Sequence, residues 1–345
     1  MRAVRIGAVL ALTGRDAPMA LQAAAGVRAF AAARGGELEI VDHRSDADAA
    51  ARAVTGLARR CDLLLGPYGS GATRAVAAAL EGRPEVLWNH GGAATDPGGA
   101  RVIDVIGPAR SYWAGLADAL ALAGADIART AVVHGPTGFG RAVAEGALDS
   151  LAAAGRRPLV VVPIDDAGDA ATAVAAASRL GAETVVGAGR MEEELALAAA
   201  IAAHGLRGAL VVCGVAVAVE RLGEAVLGWI GPAQWIAGAD SEWESRLPAG
   251  ADYPAAQALA ACLVAEEALE AAASPHPERL WPAALGLRTR TLLGPFAVDD
   301  RGRQVAHAPL IVRWEPGPIA PVRRVLWRPA SEGCGDVDGL RDLHP

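Results

Sequence analysis

Apolar runs alternate with amphipathic stretches along most of this chain, and the alternation predicts strands and helices in turn. Residues 4–12 predict a strand, 20–34 a helix, 38–42 a strand and 46–60 a helix. Residues 62–66 predict a third strand, which opens into Pro67-Tyr68-Gly69-Ser70-Gly71. A helix over 72–81, a strand over 85–88 and the loop Asn89-His90-Gly91-Gly92-Ala93 follow. This order is the signature of a parallel sheet covered by helices on both faces. After a strand over 102–106 and a helix around 112–123, the rhythm starts again. Strands over 130–134, 158–163, 184–187 and 209–214 alternate with helices over 138–154, 170–180 and 192–204. The halves match in element order but hardly in sequence, so the expected fold is α/β, with two doubly wound αβα lobes. Sites in such sheets form beyond the carboxyl ends of the strands.

The last third departs from the rhythm. Residues 254–273 predict one long Ala-rich helix, broken by Ser274-Pro275-His276-Pro277. Residues 293–296 and 309–314 read as strands across the polar turn Asp299-Asp300-Arg301-Gly302. Beyond about residue 329 periodicity fades, and the tail is expected to fray.

Composition narrows the function. With 52% hydrophobic and 21% charged residues over 345 positions, the chain can bury two cores and is not disordered. All 32 basic residues are arginines, scattered singly or in pairs such as Arg59-Arg60, and the net charge is −7. A nucleic-acid partner is therefore not expected, since nothing offsets phosphate repulsion. Cys61, Cys213, Cys262 and Cys334 lie far apart, without metal-ligand spacing, and read as buried or incidental thiols. The start, Met1-Arg2-Ala3-Val4-Arg5 before an apolar run, imitates an export signal. It reads better as a buried first strand ending at Thr13-Gly14, which leaves no export signal in the sequence. The compartment stays open on these grounds.

Enzymatic patterns are missing: there is no G-x-S-x-G elbow, no H-E-x-x-H and no P-loop. Glu192-Glu193-Glu194 opens a helix, where carboxylates favour the positive dipole end, and reads as a capped, solvated terminus. No catalytic residue, metal site or cofactor is expected. A binding constellation remains. Tyr68 and Ser70 lie in a strand-to-helix turn that aims a hydroxyl and backbone N–H groups at one point. The next strand ends in Gly91, Gly92 and Ala93, where small residues let the backbone approach a ligand.

These segments, in order with Ile6-Gly7-Ala8-Val9, Leu12-Thr13-Gly14, Gly26, Gly35-Gly36, Thr73 and Trp88-Asn89-His90, form a longer series. It continues through His134-Gly135-Pro136-Thr137-Gly138-Phe139-Gly140, Tyr253 with Gln257, Gly294-Pro295-Phe296, Asp299, Gly302 and Val312-Arg313-Trp314. The series resembles the type I periplasmic solute-binding proteins of the branched-chain amino acid class of ABC importers. That resemblance implies two lobes joined by a three-crossing hinge and closing on a ligand. Residues 1–111 with 242–304 would form lobe 1, and residues 112–241 with 305–345 lobe 2. It further implies that Tyr68, Ser70, Gly91, Gly92 and Ala93 hold the ligand head from lobe 1. Phe139 would close the cleft from lobe 2, with Arg190 and Arg15 as further contacts. Relatives of this class place a carboxylate near the ligand ammonium at the fourth strand end of lobe 2. Here that stretch is Cys213-Gly214-Val215-Ala216, so a plain amino acid is disfavoured unless Asp240 or Glu242 supplies the charge. The implied partners are a small amino-acid-like, amide or carboxylate ligand and ABC permease subunits. A cytoplasmic ligand sensor of the same fold, with a regulatory protein partner, is the alternative.

Overall fold

A computed structural model describes residues 4–93, 98–238 and 241–329. The first lobe begins with β1 (Arg5–Leu10), α1 (Ala17–Arg34), β2 (Glu37–Asp42) and α2 (Ala47–Leu57). It continues through β3 (Leu63–Leu65), α3 (Ser70–Ala79), β4 (Val86–Asn89) and β5 (Arg101–Asp104). These strands form one parallel sheet in the order β2-β1-β3-β4-β5. The chain then crosses over to α4 (Leu116–Leu122), β6 (Thr130–His134), α5 (Gly138–Ala153) and β7 (Val161–Pro163). There follow α6 (Ala170–Arg179), β8 (Thr184–Ala188), α7 (Met191–Ala203), β9 (Arg207–Leu210), the short α8 (Ala216–Val219) and β10 (Ile230–Ala233). It returns through the short α9 (Ser241–Glu244) to α10 (Tyr253–Ala272), α11 (Pro277–Gly286), β11 (Arg288–Thr291) and β12 (Gly294–Ala297). A third crossing leads to β13 (Leu310–Glu315) and β14 (Val322–Trp327), which complete the second sheet, β14-β13-β10-β9-β8-β6-β7.

The packing that holds α10 to the first lobe depends on small residues. Gly26 of α1 lies so close that a Cβ there would overlap the Ala255 carbonyl of α10. The two helices share an almost wholly apolar, Ala-rich interface that includes Ala23, Val27, Ala258 and Leu259. β1 shows why the first apolar run is a strand: Ile6 to Leu10 are buried on both faces, with β2 and β3 on either side.

Three sequence expectations need correction. Residues 211–214 are a 3-10 turn, not the end of a strand, because Gly214 curls back against the Pro232 carbonyl where no Cβ would fit. The expected helix around 112–123 splits into a 3-10 turn (Ala109–Trp113) and α4, with Gly115 at the break packed on the Trp327 indole. The strands expected on either side of the 299–302 turn do not pair with each other. β12 pairs with β11, and β13 pairs with β10 and β14, so the turn lies in the connection between the two lobes. The tail from Ala330 onward, with Cys334, lies outside the described residues.

Crossings one and three run side by side. Asp104 N–H donates to the Gly302 carbonyl (2.8 Å), and the Gln304 amide donates to the Val105 carbonyl (3.3 Å). His307 Nε2 meets the Gln234 Oε1 of crossing two at 2.7 Å, and the Gln234 amide lies against the Tyr112 hydroxyl. Among the described residues, no helix is long and apolar enough to cross a membrane.

Candidate functional site

The turn after β3 is shaped by Gly69, whose φ of 100° is open to glycine and strained for other residues. It places Ser70 as the first residue of α3 and sets Tyr68 in a parallel bridge with Gly91 at the end of β4. A Cβ on Gly91 would stand 2.6 Å from the Tyr68 Cα, and one on Gly92 would overlap the Thr73 side chain. These glycines therefore serve the close packing of two loops. Their N–H groups are committed as well: both donate to Asn89 Oδ1, at 3.3 and 2.9 Å. Asn89 Nδ2 donates in turn to the Gly92 carbonyl and to Asp104 Oδ1, at 2.7 and 2.6 Å. The Ala93 carbonyl accepts the Ala109 N–H at 2.7 Å. The expected backbone grip on a ligand head is thus largely an internal brace.

All three tyrosines of the chain meet where the lobes face each other. The Tyr253 hydroxyl, at the start of α10, lies beside that of Tyr68, and Tyr112 lies close enough to raise the pKa of Tyr253 and to have its own raised by Tyr68. Burial pushes the Tyr68 phenol up to about 12 and the other two upward as well, so all three remain protonated donors at neutral pH. Phe139, the second residue of α5, packs edge-on against Tyr112 with ring centroids 5.6 Å apart and planes at 81°. Thr137 caps α5 through its Oγ1, which accepts the Gly140 N–H at 3.0 Å. Arg74, one turn beyond Ser70 on α3, reaches toward the second lobe: a Cβ on Gly138 would stand 3.5 Å from its guanidinium. Tyr68, Tyr112, Tyr253 and Phe139 therefore gather in one region of aromatic rings with hydroxyl tips, Ser70 follows Tyr68 by two residues, and Gly91 packs on Tyr68.

The two arginines expected there differ. Arg15 is exposed and turns to its neighbour, with Nε 3.3 Å from Asp16 Oδ1. Arg190 precedes α7, is half-exposed, and lies 3.7 Å from Glu193 Oε1. The Glu192–Glu194 cluster corrects the solvated reading. Glu193 and Glu194 are buried, at 3% and 0% exposure. Glu193 accepts the Arg190 N–H, while Glu194 accepts those of Gly189 and Val212 at 2.9 and 2.7 Å. Burial pushes the Glu194 carboxyl up to about 8. Glu242 is exposed and lies near Arg34 at the far end of α1, and Asp240 falls outside the described residues.

Sequence reading missed Tyr112, Arg74 and the pair Asp252–Arg323. The scarcity of tyrosine, three in 345 residues, was a usable signal for Tyr112. Nothing local marks Arg323, which joins Asp252 from another lobe. Among the described residues, no group of three His, Cys, Asp or Glu side chains is gathered for a metal. Open cavities of about 600 and 550 Å³ lie elsewhere, around Trp229 and Arg313 and around His43 and Arg52.

The profile of the family described as periplasmic binding protein matches residues 3–318. No curated protein matches the chain in sequence. Among solved structures, the chain resembles the leucine-binding protein LivK of Thermotoga maritima at 18% identity and a TM-score of 0.76, over 95% of this chain and 99% of that one. It also resembles an ABC transporter solute-binding protein of R. palustris in complex with benzoate, at 19% identity and a TM-score of 0.73, over 94% and 96% of the two chains. An amino acid ABC transporter substrate-binding protein of Pseudomonas fluorescens matches at 13% identity and a TM-score of 0.81, over 94% and 95%.

Proposed function

The chain belongs to the periplasmic binding protein family, and on that premise we propose that it captures a small carboxylate, amide or amino-acid-like solute between its lobes. The captured ligand would then be presented to the membrane subunits of an ABC-type importer. On this reading residues 1–111 with 242–304 move against residues 112–241 with 305–345, and no chemistry is performed on the solute. The observation that carries it is the meeting of Tyr68 and Tyr253 from one lobe with Tyr112 and Phe139 from the other. An apolar wall with a few hydroxyl donors suits a small ligand with a polar head. Because its parts come from both lobes, such a wall is complete only when they meet, so a ligand touching all of it favours the closed state. The solved relatives bound to benzoate or named for leucine support a small carboxylate-bearing solute as the class.

A thermal-shift screen against amino acids, short amides and small carboxylates including benzoate tests this. A ligand at a hundredfold excess over Kd should stabilise the fold by about 2.7 kcal/mol. Ser70→Ala and Phe139→Ala should each weaken that stabilisation. A hit that neither substitution moves would place binding outside this region and overturn the assignment.

A further inference from the structure

The stretch Cys213–Ala216 carries no acid of its own, yet the fold brings one to it. Asp252, which caps α10, is 1% exposed, and its Oδ2 accepts the Ala216 N–H at 2.5 Å. Its Oδ1 accepts the Tyr253 N–H at 2.8 Å and Arg323 Nη1 at 2.9 Å. Arg323 rises from β14, donates also to the Gly214 carbonyl at 2.7 Å, and lies over the Trp314 ring at 5.8 Å. Asp252 therefore spans the two lobes with its charge already matched. It adjoins the aromatic wall, since its charge acts on the hydroxyls of both Tyr68 and Tyr253.

Two carboxylates at this end of the second lobe, those of Glu193 and Glu194, are turned inward. Glu194 holds Gly189 and Val212, and Glu193 holds Arg190, in each case through backbone N–H groups. The charge left over on the facing rim is positive: Arg74 is exposed and points across the gap. A ligand ammonium that reached Asp252 would be desolvated beside a carboxylate already matched by Arg323, which is costly. A carboxylate or amide head would meet hydroxyl donors, with Asp252 matched by Arg323 and Asp16 lying 3.3 Å from Arg15 Nε.

Building on the cleft reading above, we propose that Arg323 is a positioning residue for specificity. By occupying Asp252 it removes the acceptor an ammonium needs, so the cleft takes carboxylates and amides and rejects the corresponding α-amino acids. Arg323 acts through Asp252 and touches no ligand itself. The idea separates ligands that share a skeleton and differ in one charged group.

The test is calorimetric titration of the full chain with matched pairs: isocaproate against leucine, isovalerate against valine, hydrocinnamate against phenylalanine. In the wild-type protein the acid should bind about a hundredfold tighter than its amino acid. Arg323→Met frees Asp252 and should shift that ratio by at least about tenfold toward the amino acid, while Arg323→Lys retains the wild-type preference. If Arg323→Met does not fold, Asp252→Asn gives a second handle. It leaves the cation in place and should tighten the acid without admitting the amino acid. An amino acid that binds as tightly as its acid overturns the inference and leaves the cleft reading intact, as does Arg323→Met weakening both members equally. Silence from every pair, and from benzoate, overturns the cleft reading and this inference together.

Discussion

At the scale of single residues, Asn89 shows how a loop that looks built for a ligand can be built for itself. Gly91 and Gly92 have the lack of side chain that lets a backbone approach a bound molecule. The structure uses that freedom to press the loop against Tyr68 and Thr73, and Asn89, fully buried, takes both of their N–H groups. The same side chain donates to the Gly92 carbonyl and Asp104, so it joins β4, its loop and the end of β5. Removing it leaves two donors and two acceptors with no partner in a dry place. Asn89→Ala should therefore destabilise the protein by about 2–4 kcal/mol, read as a lower urea midpoint at unchanged slope. A loss below about 0.5 kcal/mol would mean that water replaces the brace and that these donors are available after all.

At the scale of elements, the strand–helix alternation was legible because the inner parallel strands, such as β1, β3 and β8, are buried on both faces and several helices begin or end on a local signal. The Asp46 cap of α2, the Thr137 cap of α5 and the left-handed Gly35 after α1 are such signals, and each is written within a few residues. Tyr68, Ser70 and Phe139 were legible for the same reason, since they sit at those element boundaries. What stayed hidden depends on contacts between distant segments. Residues 211–214 look like strand until Gly214 meets the Pro232 carbonyl, and the solvated Glu193–Glu194 reading fails once Gly189 and Val212 fold over the carboxylates. The Asp252–Arg323 pair joins residues 71 positions apart. The α5 cap also yields a prediction for the site, because it fixes the turn that carries Phe139. Thr137→Ala should cost about 1 kcal/mol of stability, and it should weaken ligand binding more than a cap removed far from the cleft, such as Asp46→Ala. Equal effects of the two on binding would show that the orientation of α5 does not matter to the ligand.

At the scale of the whole molecule, buried ionisable groups set the pH range in which the two lobes stay folded, and two of them stand at the hinge. Burial pushes His90 and His307 down to about 4, from an ordinary value of 6.5. Between those values the unfolded chain binds more protons than the folded one, so their contribution is complete above 6.5 and lost as pH falls toward 4. Burial pushes Asp104 up to about 7 and Glu194 up to about 8, from ordinary values of 3.8 and 4.5. Here the folded chain keeps protons that the unfolded chain releases, so stability falls as pH rises through 7 and 8. From about 4.5 to 6.5 the two trends oppose each other, which predicts a broad maximum there with a decline on either side. His307 lies in the third crossing and Asp104 ends β5 where the first crossing begins, so both limbs act where the lobes are joined. The alkaline limb has a simple control, because Glu194→Gln keeps the shape and removes the proton equilibrium. In thermal unfolding across pH 4 to 9, that variant should lose much of the decline above 6.5 and should climb from about 4.5 to 6.5, where the histidines are no longer opposed by Glu194. If the wild-type melting temperature instead climbs from 6.5 to 8, the Glu194 carboxylate is ionised in the fold, and the N–H groups of Gly189 and Val212 suffice to hold it so.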